Sequence, residues 1–286
     1  MRVARLPLHP SAVYGLVKEI KAAADDLRPI VIAGAAEPAG RIVGALAENG
    51  DVNALRDLSG REVTRYDLQG AGLLIYVIEG ETPSPGDEKV LKLADRNDVG
   101  IICVLAGTTS HPLDLPFVPA GNVVPVGAGQ AVPIDRLAEL VASVADENGY
   151  ALAARLPVLR PAVVAAIVRR FSRQNGVLGV AIFVPGADFP VLTLNQLRML
   201  FRIAAAHGEE IDRERLPEVL AIIGAGLGFR TIAREALGFI PALGWAVKGG
   251  IAYVGTRALG KAAVTYFEQG GAGAIARAAD AVRSRS

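Results

Sequence analysis

The sequence predicts an α/β doubly wound domain followed by an all-α, Gly/Ala-rich helical domain. Three observations predict it. Over the first half, short apolar runs alternate with amphipathic segments joined by brief turns, the pattern of strands and crossover helices. The run Gly72-Leu-Leu-Ile-Tyr-Val-Ile78 is continuously apolar, as in a strand buried on both faces of a parallel sheet. After about Glu147 strand signals mostly stop and helical segments take over. The division therefore falls into residues 1–147 and 148–286.

Taken in order, Ser11–Leu27 reads as an amphipathic helix with Ser11 as its N-cap. Pro29–Ala33 is a short buried strand, followed by the turn Gly34-Ala-Ala-Glu-Pro-Ala-Gly40 and a helix over Arg41–Glu48. Strand, glycine turn and helix open many nucleotide-binding α/β folds. Glu62–Leu68 alternates as an edge strand does, and Gly72–Ile78 follows as a central one. Pro85–Arg96 is a helix, Val99–Leu105 a buried strand, Asn122–Val126 a shorter strand. Pro133–Ala145 is an amphipathic helix with Ile134, Leu137, Leu140 and Val141 on one face. In the second half, Pro161–Asn175 is a helix with the basic end Arg169, Arg170 and Arg173, and Gly176–Pro185 is apolar and ambiguous. Thr193 caps a helix over Leu194–Ala206 that ends at His207-Gly208. Helices follow at Arg213–Phe229, Thr231–Leu237 and Pro241–Phe267, with a partly helical tail over Gly270–Ser286.

Composition narrows the function. Hydrophobic residues make up 51% of the 286 and charged residues 21%, so a substantial core is available. The mean hydropathy of +0.36 is high for a soluble chain. A net charge of +1 gives no general electrostatic case for nucleic acid. The one cysteine, Cys103, sits mid-strand among Ile and Val and reads as a buried structural thiol; alone, it excludes an internal disulfide and points to a reducing compartment. His9, His111 and His207 share no metal-ligand spacing. No signal peptide is read at the N-terminus, and no apolar stretch reaches the ~18 residues of a membrane-spanning helix.

The Gly34–Gly40 turn is the first candidate site. A phosphate loop, G-x-x-x-x-G-K-[ST], wraps phosphates in backbone N–H groups, reaches them with Lys and binds Mg²⁺ through the hydroxyl. Here Ala35 takes the place of the first Gly, Gly40 the second, Arg41 that of the Lys and Ile42 that of the hydroxyl residue. Gly34 is one residue out of register, and Glu37 adds negative charge where phosphates would lie. Ile42 has no oxygen with which to ligate Mg²⁺, and Arg41 does not simply replace a Lys. The turn therefore reads as a tight strand-to-helix joint carrying a vestigial nucleotide site. Asp67-Leu-Gln-Gly70 has the Asp-x-x-Gly spacing in which the Asp holds Mg²⁺ through water and the Gly senses a γ-phosphate; an ordinary Asp/Gly turn has the same spacing. After the strand Val99–Leu105, Ala106-Gly-Thr-Thr-Ser-His111 offers no carboxylate to a guanine edge, where Asn-Lys-x-Asp would stand.

The strand order, the Asp67–Gly70 remnant and the Leu73–Ile78 and Val123–Val126 strands look like an Era-type, P-loop GTPase-like domain in outline. The second half is more specific. Leu192-Thr-Leu-Asn-Gln-Leu-Arg-Met-Leu200, Ile203-Ala-Ala-Ala-His-Gly208, Phe239-Ile-Pro-Ala-Leu-Gly-Trp245, Thr256-Arg-Ala-Leu-Gly260 and Tyr266-Phe267 resemble a helical domain of unknown function. That domain occurs C-terminal to bacterial GTPases and in YcjF-type inner-membrane proteins. The resemblance covers roughly residues 150–270 and implies a membrane-associated, GTPase-linked role, with no agreed activity to carry over.

The expected function is a non-catalytic pseudo-GTPase scaffold or regulatory protein in a bacterial cytoplasm, with peripheral attachment to the inner face of the cell membrane as an option. No cofactor is expected; GTP with Mg²⁺ at Gly34, Gly40, Arg41, Asp67 and Gly70 is the alternative, as an atypical NTPase using Arg41 with Asp67. The expected partners are another protein or a second copy of the chain, met through the helical domain, or a membrane surface. Small residues in Gly224-Ala-Gly-Leu-Gly228 and Gly249–Gly255 permit close helix approach, and Trp245, Tyr253, Lys248, Arg257 and Lys261 suit lipid headgroups. A structural, oligomeric assembly protein is the third reading.

Overall fold

The computed structural model describes residues 10–80, 82–109, 115–146, 149–181, 188–209 and 245–270. The chain divides into two compact units, residues 25–163 and residues 1–24 with 164–286. This differs from the 1–147 and 148–286 division at two places. The N-terminal helix α1 (Pro10–Ala24) counts with the helical unit, and residues 148–163 count with the sheet unit.

The first unit is built on five parallel strands in the order β2-β1-β3-β4-β5. They are β1 (Ile30–Gly34), β2 (Leu55–Ser59), β3 (Leu73–Glu79), β4 (Gly100–Ala106) and β5 (Val123–Val126). Ile30 stands opposite Leu55 on one side and Leu73 on the other, so the chain leaves β1 in both directions. In open parallel sheets, ligands bind at such a switch point, outside the carboxyl ends of the strands.

Because successive side chains point to opposite faces, each central strand supplies both layers of the core. Val31, Ala33, Leu74, Tyr76, Ile78, Ile101, Cys103 and Leu105 pack on one side with Val90, Leu91 and Ala94 of helix α4 (Pro85–Arg96). The intervening Ile32, Ile75, Ile102 and Val104 are equally buried, and helices α2 (Ala36–Ala47) and α5 (Ile134–Val144) meet on their face. Gly100 permits that packing, since a Cβ there would run into Val144 of α5. Helix α4 is fixed by a capping box: Ser84 Oγ accepts from the Asp87 amide, and Asp87 Oδ2 accepts from the Ser84 amide and hydroxyl. The other carboxylate oxygen, Oδ1, accepts from the buried Tyr76 hydroxyl at 2.9 Å. The unit closes with helix α6 (Gly149–Arg155), whose Arg155 donates through Nε to Asp51 and through Nη1 to the Leu27 carbonyl.

Two sequence expectations are corrected here. The edge strand is Leu55–Ser59, not Glu62–Leu68, and the latter segment ends in a one-turn helix, α3 (Arg65–Leu68). The apolar residues Val63 and Leu68 that suggested alternation are buried without joining the sheet. The helix read from Arg41 begins five residues earlier, at Ala36.

The helical unit contains α1, most of α7 (Arg160–Ala181), α8 (Asp188–Ala206) and α9 (Trp245–Glu268). Helix α7 runs through part of the segment read as ambiguous, and Thr193 lies inside α8 rather than at its cap. Helices α7 and α9 touch backbone to backbone: a Cβ at Gly249 would meet Val180 Cγ2 at 2.5 Å and the Gly176 carbonyl oxygen at 2.7 Å. Further along, Gly260 admits Val168. Between these contacts Asn175 of α7 donates to Thr256 Oγ1 of α9 at 2.8 Å, both fully buried, and accepts from Asn195 of α8 at 2.6 Å. Glu19 of α1 pairs with Arg198 of α8 at 3.1 Å. Helix α8 ends as expected, with Gly208 at φ +76°. The expected helices Arg213–Phe229 and Thr231–Leu237, the start of Pro241–Phe267 and the tail beyond Gly270 lie outside the described residues.

Candidate functional site

The switch point is the natural place for a ligand, and its geometry starts at Gly34. This residue has φ +102°, a conformation that side chains avoid, and its Cα faces β3 so closely that a Cβ would be driven into the Val77 peptide. Ala35 alone joins strand to helix, and its amide donates to the Val77 carbonyl at 2.9 Å. A phosphate loop instead keeps several residues outside both elements so that their amides can face an anion. Gly40 and Arg41 are therefore not loop residues; they sit in the second turn of α2. Arg41 reaches back one turn to Glu37, nitrogen to oxygen 2.9 Å, in an exposed i,i+4 pair. Of the amides opening α2, that of Ala35 is used by β3 and Pro38 has none. Glu37 already places a negative charge at this positive helix end.

The same closure runs along the whole carboxyl edge. The Gly60 amide donates to the Gly34 carbonyl at 2.8 Å, Gly80 to Ala106 at 2.8 Å, and Gly107 and Thr108 both to Val126 at 2.8 and 3.2 Å. The Gly127 amide goes to Gln130 Oε1 at 3.2 Å. Strands β1 to β4 thus each continue their ladder one residue past their ends, so the amides of Ala35, Gly60, Gly80 and Gly107 are not available to an anion at this edge. What is left is a crevice of about 200 Å³ lined by residues that include Glu37, Arg41, Glu79, Gly107, Gly127 and Gln130. Small-molecule sites typically run to about 300–1,000 Å³.

Asp67 and Gly70 do not join this group. The Gly72 amide bonds to the Pro29 carbonyl, and Leu73 stands beside Ile30, so Asp67–Gly70 enters β3 at the amino edge of the sheet. The Gly34 turn is at the other end of β1, about 13 Å away along the strand. Asp67 Oδ2 accepts from the Thr64 amide at 2.8 Å and its hydroxyl at 2.6 Å, as a helix cap does. These bonds, the hydroxyl first, hold its carboxyl below the ordinary value. Arg56 donates to the Asp67 carbonyl. Gly70, at φ +69°, makes the turn into β3.

A second Asp-x-x-Gly, not singled out from the sequence, is at the correct edge. Asp57-Leu-Ser-Gly60 closes β2, the strand beside β1. Gly60 has φ +67°, and a Cβ there would meet Ala36 Cβ at 2.8 Å, so it packs on the start of α2. Asp57 Oδ1 accepts from the Ser59 hydroxyl at 2.6 Å and its amide at 2.9 Å, which keeps the carboxyl ionised below its usual range. The signal that finds it is position rather than spacing: the motif must follow a strand adjacent to β1.

Cys103 is fully buried, and burial, reinforced by the charge on Asp87, pushes its thiol up to about 12. It is an inert core thiol. His207 bonds the Ile203 carbonyl through Nδ1 at the end of α8, whereas His9 and His111 lie outside the described residues. Among the described residues, no group of three or more His, Cys, Asp or Glu is placed to hold a metal. In comparisons with known proteins, no family model, no curated protein and no solved structure matches this chain. Fold and site together define a doubly wound α/β unit with a self-closed carboxyl edge, carried with a helical unit.

Proposed function

We propose that this chain is a pseudo-GTPase: an Era-type domain that has stopped binding nucleotide and serves, with its helical unit, as a scaffold or regulatory protein. One observation carries the reading, the consumption of the strand-exit amides by neighbouring carbonyls, with Gly34 pressed on β3 and a single-residue joint into α2. A triphosphate needs that edge open and positive; here Glu37 and Glu79 line the crevice with Arg41, which Glu37 already pairs. The GTPase ancestry is supported by Asp57-x-x-Gly60, which ends the strand beside β1 at the carboxyl edge. The helical unit then supplies the docking function. The test is equilibrium titration of the purified protein with GTP, GDP and ATP, with and without Mg²⁺. No binding up to millimolar nucleotide is the expected result. Micromolar, Mg²⁺-dependent binding would favour the second reading, an atypical nucleotide binder using Asp57 and Arg41.

A further inference from the structure

The helical unit exposes apolar side chains at one end. Contacts between Gly176 and Tyr253, Gly249 and Val180, and Gly260 and Val168 set α7 and α9 antiparallel. The carboxyl end of α7 therefore lies level with the amino end of α9. Bonds from Asn195 to Asn175 and from Gln196 to Thr256 bring the amino-terminal half of α8 to the same end. Among the described residues, the exposed large hydrophobic side chains of these three helices gather there. They are Val177 (68% exposed) and Val180 on α7, Val191 on α8, and Ile251 and Val254 (63%) on α9.

A basic belt adjoins this end. Arg173 lies one turn before Val177, and Arg257 three residues after Val254; both are exposed and stand at the same level of the pair. Exposed Arg169 and Lys261 form the next level. At 1.5 Å rise per residue, the belt begins roughly 4.5–6 Å along the helices from the apolar residues. The three helices hold nine Lys and Arg but only two carboxylates, Asp188 and Glu268, at helix ends. Arg257 also donates to the Tyr253 hydroxyl at 3.1 Å, setting an aromatic between the two zones. Among the described residues, no helix is long and apolar enough to cross a membrane. An apolar tip one to two turns deep under a cationic collar matches shallow burial, about 5–10 Å, at the headgroup boundary.

We propose that this end of the α7–α8–α9 bundle docks on an anionic lipid bilayer, the valines and Ile251 entering the acyl boundary while Arg169, Arg173, Arg257 and Lys261 contact lipid phosphates. The proposal rests on the docking role assigned above to the helical unit and names its partner. Apolar tip and cationic collar act together. Neither neutral lipid nor charge alone satisfies both.

The test is flotation of the full-length protein with vesicles of phosphatidylcholine alone or phosphatidylcholine with 30 mol% phosphatidylglycerol. Binding to the anionic vesicles only, weakened by salt, is expected. Arg173→Glu with Lys261→Glu should lower the partition at least 25-fold, about five-fold per lost positive charge. Val177→Asp with Val254→Asp should abolish it, and Val52→Asp, at an exposed site of the sheet unit, should leave it unchanged. Circular dichroism checks folding; if the Asp pair fails to fold, Val177→Ser with Val254→Ser takes its place. Equal binding to neutral vesicles, or full binding by the folded valine variants, overturns the proposal. So does absence of vesicle binding, and a dimer lost in the same variants would then assign the surface to a second copy. Nucleotide titration of the same preparation is independent: tight GTP binding would sink the pseudo-GTPase reading and leave the lipid result standing.

Discussion

Gly34 and Gly40 give opposite expectations when each is changed to alanine. At Gly34 the new Cβ meets φ +102° and the Val77 peptide, whose carbon and nitrogen would both lie at 2.8 Å. Holding an L side chain in so sparsely populated a region costs about 1–3 kcal/mol. Moving β3 away also weakens the bond from Ala35 to Val77, about 1 kcal/mol more. Gly34→Ala should thus destabilise the sheet unit by roughly 2–4 kcal/mol. With a urea m-value of about 2 kcal/mol/M, the unfolding midpoint falls by about 1–2 M. At Gly40 nothing lies within 4 Å of the built Cβ, and the residue is inside α2. Gly40→Ala should therefore stabilise by about 0.5–1 kcal/mol through helix propensity. Urea melts followed by circular dichroism read both. Were Gly40 the second glycine of a phosphate-wrapping loop, its substitution would be the harmful one. Gly34→Ala within ~0.5 kcal/mol of wild type, or a destabilising Gly40→Ala, would refute the single-residue joint.

Three further outcomes are expected. Asp67→Ala should cost about 1 kcal/mol at pH 7 through loss of the α3 cap. Because the folded state holds the Asp67 carboxyl below its ordinary value, its contribution is present above that ordinary value and lost as pH falls through the lowered one, so wild-type and variant melts should converge as the pH is lowered. Cys103 should resist a thiol-disulfide reagent at pH 8 in the native protein and react at once in denaturant; native labelling within minutes would contradict its burial and raised pKa. Gly249→Ala should lower the stability of the helical unit by about 1–3 kcal/mol, since Val180 and the Gly176 carbonyl occupy the space, while Gly250→Ala, with nothing within 4 Å, should not.

The strands readable from sequence were those buried on both faces. Leu73–Glu79 and Gly100–Ala106 are near-continuous apolar runs, and α4 announces itself through Ser84-Pro85 and Asp87. Edge strand β2, Leu-Arg-Asp-Leu-Ser, buries only Leu58 deeply and carries no run or clean alternation. That single loss moved the site. With Glu62–Leu68 standing in for the edge strand, Asp67–Gly70 became the Asp-x-x-Gly candidate, although it lies at the amino edge and caps a turn of helix. Asp57–Gly60 had the same spacing ten residues earlier and went unread. The start of α2 was hidden for a related reason: a phosphate-loop template reserves Gly34–Gly40 for loop, whereas Ala36, Glu37 and Pro38 make an ordinary first helical turn. Closure of the carboxyl edge has no local sequence signature, because it depends on which residues of neighbouring strands stand opposite one another, Gly34 with Ser59, Glu79 with Ala106 and Ala106 with Val126.

Amide hydrogen exchange at the carboxyl edge tests the central claim most directly. The amides of Ala35, Gly60, Gly80 and Gly107 should be protected in the nucleotide-free protein, as bonded ladder positions are, and unchanged by millimolar GTP with Mg²⁺. Fast exchange at these four amides, slowed by added nucleotide, would show an open edge awaiting a phosphate and would contradict the account.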